Sequence, residues 1–316
     1  MSIGVAIIGG GIFVREEHLP AVQAASSHLT LKAIYSRSIK SAKALEANVD
    51  LYSDDSGSGN TYYDLLLRDD IQAVILALPI PAQPEYVEAA LAAGKHVLSE
   101  KPIAKDITSA QKLIDYYKSD KVKGGATWGV AENFRFLDSF LFARQEVQKL
   151  GRVLGFRVKM FGNVQPGSKY FGEEATPTAL TAFTTLLQEH LPPVDTVNSV
   201  WQTKTGISGT FSVSFGTTLS GSEYVIACEK GSVAVEFSKV TVRLGMEKDK
   251  KETVKEFKEE GAGVKQEVAA WAKSLSEGTP NPGQAPEQAL ADLEILEKML
   301  KSGENQGAAQ SLKYQL

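Results

Sequence analysis

The stretch Ile3-Gly4-Val5-Ala6-Ile7-Ile8-Gly9-Gly10-Gly11-Ile12-Phe13-Val14 decides the fold. Val5 to Ile8 is a short apolar run of the kind that forms a strand buried on both faces. It ends on three glycines, and an apolar helical stretch begins around Pro20. A turn joining a buried strand to a helix can aim backbone N–H groups and a helix N-terminus at a pyrophosphate. Gly9 and Gly11 fill the first two fingerprint positions, and Ile12 and Phe13 continue the loop. Val14 stands at the third position, where glycine normally permits close helix–strand packing, so the motif is degenerate and a purely structural glycine turn is the alternative.

The surrounding rhythm favours the dinucleotide loop. Leu29 to Tyr35 reads as a second strand, followed by a helix through Ile39, Ala42, Leu45 and Ala47. Tyr62 to Arg68 is a further helical piece, and Ala73 to Leu78 is the most hydrophobic strand, stopped by Pro79. A helix from Pro84 to Ala93, ended by Gly94, leads into the strand His96-Val97-Leu98, and Thr108-Ser109-Ala110-Gln111 reads as a capping box opening the next helix. This alternation predicts an α/β fold with an N-terminal Rossmann domain, a doubly wound parallel sheet.

Past about residue 150 the pattern changes. Val153 to Phe161, Val197 to Thr203, Gly209 to Phe215, Tyr224 to Cys228, Ser232 to Phe237 and Val240 to Leu244 are strand-like and separated by short Gly and Ser turns. The expected division is residues 1–125 for dinucleotide binding and 126–316 for a C-terminal α+β domain with an open, mostly antiparallel sheet. The charged block Glu247 to Glu260 reads as an exposed edge strand or solvated loop. Amphipathic helices are expected at Val264 to Leu275 and Pro286 to Leu300, able to pack back on the first domain.

Composition narrows the function. The chain has 316 residues, 43% of them hydrophobic, and 34 basic against 38 acidic side chains give a net charge of −4. That balance provides no footprint for nucleic acid or an anionic membrane. The single cysteine, Cys228, cannot form an internal disulfide, which suits a reducing cytoplasm. The apolar start carries no basic residue ahead of it and is broken by glycines, unlike a signal peptide, and no apolar run of about twenty residues predicts a spanning helix. One cysteine and four scattered histidines offer no metal-ligand spacing, so no metal is expected.

The end of the second strand bears on the cofactor. An NAD site usually places a carboxylate there for the ribose hydroxyls, but this chain reads Tyr35-Ser36-Arg37-Ser38. An arginine flanked by two hydroxyls suits a 2′-phosphate, which favours NADP over NAD; the plain alternative is a surface arginine without a ligand. In Ala92-Ala93-Gly94-Lys95-His96-Val97-Leu98-Ser99-Glu100-Lys101-Pro102 the strand delivers Lys101 to its carboxyl end, the edge where doubly wound sheets bind ligands.

The glycine loop, His18-Leu19-Pro20-Ala21, the strand ending in Leu78-Pro79, Glu100-Lys101-Pro102 and Glu132-Asn133-Phe134-Arg135-Phe136 together resemble the glucose–fructose oxidoreductase / inositol dehydrogenase / rhizopine-catabolism (Gfo/Idh/MocA) family. The similarity extends to Gly263-Val264-Lys265-Gln266-Glu267-Val268 and Trp271. The resemblance implies hydride transfer between NAD(P) and a sugar, cyclitol or dihydrodiol-like polyol. Lys101 would be the catalytic residue that stabilises or protonates the substrate oxygen. It also implies that Leu78, Pro79, Gln83, Glu100 and Pro102 contribute to the cofactor site, Gln83 standing where many members carry His. Asn133, Arg135 and Tyr170 are pocket candidates, and the C-terminal sheet is a candidate homodimer surface.

One feature of the family pattern is missing. Catalysing members have a Gly-Gly pair and then Asp with His four residues on, whereas here Lys169-Tyr170-Phe171-Gly172-Glu173-Glu174 runs on to Thr178-Ala179-Leu180. His190 has Leu186, not Asp, four residues before it and reads as part of a turn; His18 and His96 read as capping or packing residues. Two functions therefore stand: an NADP-dependent oxidoreductase acting on CH–OH groups, or a catalytically silent NADP-binding regulator that works through a protein partner.

Overall fold

The computed structural model describes residues 2–163, 177–191, 194–245, 251–258 and 260–316. Two compact units emerge, one comprising Met1–Asn133 with Ala262–Leu293 and the other Phe134–Gly261 with Glu294–Leu316.

In the first unit the elements run β1 (Ile3–Ile8), α1 (Leu19–Ala24), β2 (Leu29–Ser36), α2 (Ile39–Lys43), β3 (Asp50–Ser53), α3 (Tyr62–Leu66), β4 (Ala73–Leu76), α4 (Gln83–Ala92), β5 (His96–Glu100), α5 (Ile107–Tyr117) and β6 (Trp128–Ala131). The six strands lie in the order β3-β2-β1-β4-β5-β6, every neighbouring pair parallel. The order reverses between β1 and β4, and ligands of such sheets bind at the strand carboxyl ends beside that reversal. Val5 to Ile8 and Ala73 to Leu76 are fully buried, as the continuous apolar runs require of strands covered on both faces. On one face Val14, Leu19 and Val22 pack with Val264, Val268 and Trp271 of α7 (Val264–Glu277). Each such side chain contributes about 1.5–3 kcal/mol when fully buried.

Three details differ from the sequence reading. The expected division at 125/126 falls before β6, whose Trp128 to Ala131 pair with Val97 to Glu100 and complete the parallel sheet. The helix expected to be capped at Thr108 starts earlier: Asp106 is its N-cap and accepts from Ser109 N–H at 2.7 Å. A π-helical turn, Val14–His18, precedes α1, so helical structure begins ahead of Pro20.

The second unit contains α6 (Asp138–Lys149), β7 (Val153–Asn163), β8 (Pro177–Thr185), β9 (Thr196–Thr203), β10 (Ser208–Ser214), β11 (Gly216–Cys228), β12 (Gly231–Glu236), β13 (Lys239–Leu244) and β14 (Lys251–Glu256). The helix α8 (Pro286–Glu304) enters it at Glu294, and β15 (Gln310–Ser311) closes it. The sheet order is β14-β13-β12-β11-β7-β10-β9-β8-β15, antiparallel except where β10 meets β7. Ala143 and Leu150 of α6 and its end pack on Val233, Val235, Val240 and Val242, and Met299 of α8 packs on Leu180, Ala182, Phe211 and Val213.

Both edges of this sheet are dealt with. The charged block supplies β14, an outer strand with all six residues exposed. The other edge is covered by β15, and the buried Glu294 carboxylate accepts from Lys313 N–H at 2.6 Å and Tyr314 N–H at 2.8 Å to hold the segment after it.

Candidate active site

The glycine loop follows β1 directly. Gly9 has φ +146°, and a Cβ there would stand 2.4 Å from the carbonyl oxygen of Ala77, just beyond β4. A Cβ on Gly10 would lie 2.6 Å from Ser36 Oγ, at the end of β2. Gly11 differs: nothing lies within 4 Å of the Cβ position. Two glycines thus press the loop against its neighbouring strands and the third opens onto free space, the cradle a pyrophosphate needs. The role of Gly10 was not legible in the fingerprint spacing, because it depends on Ser36 across the sheet. Ile12 is exposed and Phe13 half-buried beside the cradle.

The three residues after Tyr35 divide their tasks. Ser36 is buried behind Gly10. Ser38 is the N-cap of α2, its hydroxyl accepting from Ser41 N–H at 3.3 Å. Arg37 is exposed at the same edge. A carboxylate that sequence reading did not anticipate is also there: Asp55 accepts from Ile39 N–H at 2.7 Å and Ser53 O–H at 2.6 Å. The Ser53 hydroxyl, then the Ile39 N–H, hold its carboxyl below the usual aspartate range.

Leu78 is half-buried and Pro79 exposed past the end of β4, and α4 begins at Gln83. Gln83 is fully buried; its Nε2 donates to Pro102 O at 3.4 Å, and its Oε1 has no partner among the described residues. Glu100 ends β5 and Lys101 follows, joined to Pro102 by a cis peptide bond. Glu100 Oε2 accepts from Lys101 N–H at 3.2 Å, and Glu100 Oε1 lies 2.8 Å from Nε2 of His18, which is completely buried. Lys101 is half-buried. The carboxyl ends of β1, β2, β4 and β5 therefore bring together Gly9 to Phe13, Ser36 to Ser38, Leu78 to Gln83 and Glu100 to Pro102, residues spread over about a third of the chain.

The remaining candidates come from other segments of the chain. Asn133 is buried and its Nδ2 donates to Ala262 O at 2.6 Å, so its amide fastens two segments of the first unit. Arg135 is half-buried in a 3-10 turn, Asn133–Phe136, at the start of the second unit. Tyr170 and Lys169 lie outside the described residues. His96 Nδ1 sits 2.9 Å from Thr127 Oγ1, and His190 is exposed in a turn after β8. The stretch from Thr178 to Phe183, where the sequence offered no element, belongs to β8. Among the described residues no cluster could hold a metal, and no helix is long and apolar enough to cross a membrane.

Comparison with known proteins accords with this geometry. Residues 3–126 match the model of the oxidoreductase family with an NAD-binding Rossmann fold, Gfo/Idh/MocA. The dehydrogenase FPY6 of Fusarium mangiferae is 36% identical over 353 aligned positions covering 99% of this chain and 100% of its own. At least 353 − 316 = 37 of those positions have no counterpart in this chain. An oxidoreductase of Thermotoga maritima superposes with a TM-score of 0.83 at 23% identity, covering 98% of each chain. Levoglucosan dehydrogenase, in complex with NADH and levoglucosan, superposes with a TM-score of 0.80 at 17% identity over 99% of this chain and 100% of its own. Full-length similarity to the dehydrogenase, together with the matching Rossmann segment, shows that the chain belongs to the Gfo/Idh/MocA family of oxidoreductases.

Proposed function

We propose that this protein is an NADP-dependent oxidoreductase moving a hydride between the nicotinamide and a hydroxyl or carbonyl carbon of a sugar, cyclitol or dihydrodiol-like substrate, in a reducing cytoplasm. The observation that carries the reading is the contrast at the loop: space closed behind Gly9 and Gly10, open at Gly11. The backbone N–H groups from Gly11 to Phe13 would hold the pyrophosphate, Arg37 with the Ser36–Ser38 backbone the 2′-phosphate, and Leu78, Pro79 and Gln83 the neighbouring wall. Bound there, the dinucleotide supplies the hydride donor or acceptor. Lys101 does the rest from its place after β5. Its ammonium donates to a carbonyl oxygen and gives up a proton as alkoxide charge develops; in the other direction the amine takes the hydroxyl proton.

The substrate class draws support from the sugar oxidised by a structural relative, levoglucosan dehydrogenase, and from the family resemblance. Titration with NADPH and NADH, then a screen over sugars, cyclitols and dihydrodiols, tests the reading. Tighter NADPH binding with turnover of a polyol is expected; equal affinity for both cofactors would remove the NADP assignment.

A second reading, a silent NADP-binding regulator, has one observation in its favour. The residues four before His18, His28, His96 and His190 are Val14, Ala24, Ala92 and Leu186, so no Asp-x-x-x-His pair exists in the chain. NADPH binding without turnover of any compound in the screen would select it.

A further inference from the structure

We propose that His18 is a positioning residue for Lys101: through Glu100 it ties the turn that follows the glycine loop to the main chain carrying the lysine. This inference rests on the reading of Lys101 as the group facing the substrate oxygen.

His18 ends the π-helical turn Val14–His18, which starts directly after the cradle residues Gly11 to Phe13. Its neighbours Leu19, Ala21 and Val22 are buried apolar residues, and His18 itself has no exposed surface. A leucine would fill such a position without the cost of removing a polar ring from water. What imidazole adds is a donor. An ionised carboxylate only accepts, so Nε2, 2.8 Å from Glu100 Oε1, carries the proton of that contact. Nδ1 is buried and has no partner among the described residues, so the ring's one hydrogen bond is the one to Glu100.

Glu100 passes the constraint on. With Oε1 engaged by His18, Oε2 accepts from Lys101 N–H at 3.2 Å, which fixes the peptide on which the lysine side chain stands. Phe13 meets the His18 ring edge-on, centroids 5.1 Å apart and planes at 90°. The ring is thus gripped on one side by the last residue of the dinucleotide loop and on the other by the residue before the lysine. The His18–Glu100 contact links segments 82 positions apart in sequence. A reacting group is best held by neighbours whose own orientation is locked, and this pair fixes the main chain from which the Lys101 side chain springs.

The test compares His18→Met, which keeps bulk and removes the donor, with His18→Gln, which keeps an N–H at similar reach. The first readout needs no turnover: the rate of competitive amine labelling at Lys101, followed by mass spectrometry of its peptide, with and without NADPH. We expect His18→Met to change the labelling rate at least three-fold and His18→Gln to stay within two-fold of the unaltered protein. In turnover, His18→Met should lower kcat at least ten-fold with NADPH affinity within three-fold, and His18→Gln should recover most of it. Labelling and kcat unchanged in His18→Met would overturn the relay. So would a Gln variant as impaired as Met with native circular dichroism, since packing alone would then explain the residue. If His18→Met does not fold, Glu100→Gln is measured instead, with the same labelling change expected. Absence of turnover in the unaltered protein refutes the enzyme reading and leaves the labelling comparison to decide the relay.

Discussion

The carbonyl oxygen of Ala77 occupies the place a side chain on Gly9 would take: a Cβ built there falls 2.4 Å from it. The approach joins the end of β1 to the end of β4 at the point where the strand order reverses, and Ala77 N–H donating to Ile8 O at 2.8 Å keeps the two together. Packing, more than ligand contact, explains the first glycine.

Gly9 and Gly11 should therefore respond differently to substitution. Gly9→Ala meets a backbone oxygen at a positive φ and should destabilise the first unit by about 1–3 kcal/mol, read by urea unfolding. Gly11→Val adds its side chain to open space, so the fold should persist while NADPH affinity is lost. Calorimetric titration alongside far-ultraviolet circular dichroism separates the two. Retained binding in Gly11→Val would mean the loop is only structural.

The parts of the fold legible in the sequence were those whose cause is local. Val5 to Ile8 and Ala73 to Leu76 read as buried parallel strands because they are short continuous apolar runs rich in Val and Ile, followed by Gly9 and by Pro79. β6 carries little sequence signal because Trp128-Gly129-Val130-Ala131 is four residues long and draws its strand conformation from β5 beside it. β8 places Thr at every third position, Thr178, Thr181 and Thr184, so it lacks the two-residue period by which a half-buried strand is read. Thr108 looked like a cap because Gln111 follows at capping-box spacing, yet Asp106 offers a carboxylate two residues earlier. At the candidate site, the glycines and Lys101 come from motifs and remain proposals as site residues; the dependence of Gly10 on Ser36, and of Glu100 on His18, is tertiary and has no spacing signature.

Arg37 carries the cofactor prediction. Ser36 is committed behind Gly10 and Ser38 caps α2, which leaves the guanidinium as the main attraction for a 2′-phosphate. Arg37→Asp should reverse the preference toward NADH, at a cost to NADPH binding of about 1.5–3 kcal/mol, or roughly ten- to a hundred-fold. Asp55→Asn keeps an acceptor for Ile39 N–H while removing a negative charge at the same edge, so it should tighten NADPH binding and leave NADH nearly unchanged. Parallel titrations with both cofactors check both variants.

Asp195 governs a pH dependence in the second unit. This buried carboxylate accepts from Leu187 N–H at 3.0 Å, Gln188 N–H at 2.8 Å and Thr196 O–H at 2.9 Å. Burial pushes its carboxyl up, but those donors together outweigh burial and hold it below the usual aspartate range. A lowered folded value means the contribution is fully present above the unfolded value of about 3.9 and is lost as pH falls below it through the folded value. Asp195→Asn, which turns an N–H donor toward the backbone donors, should cost about 1–3 kcal/mol at pH 7. The difference from the unaltered protein should shrink below about pH 4 in urea unfolding followed at several pH values. A difference independent of pH would assign the effect to shape and not to charge.

On the proposed reading, turnover depends on Lys101. If the protein is an enzyme, then with no Asp-x-x-x-His pair in the chain the lysine must supply much of the charge stabilisation and proton exchange at the substrate oxygen. Lys101→Met should lower kcat by a hundred- to a thousand-fold, about 2.7–4 kcal/mol, the usual loss when one preorganised donor to a developing oxyanion is removed. NADPH affinity should stay within a few-fold, because the cradle at Gly11 and the edge at Arg37 are untouched. His190 is the internal control. It stands exposed in a turn after β8, and its spacing gives no support for proton transfer. His190→Ala should therefore alter the rate by less than about three-fold, since general acid–base roles contribute about a hundred-fold or more. Steady-state kinetics on the substrate found in the screen checks both variants. If His190→Ala abolishes turnover with the fold intact, the chemistry lies in the second unit and the assignment of Lys101 as the principal acid–base group is wrong.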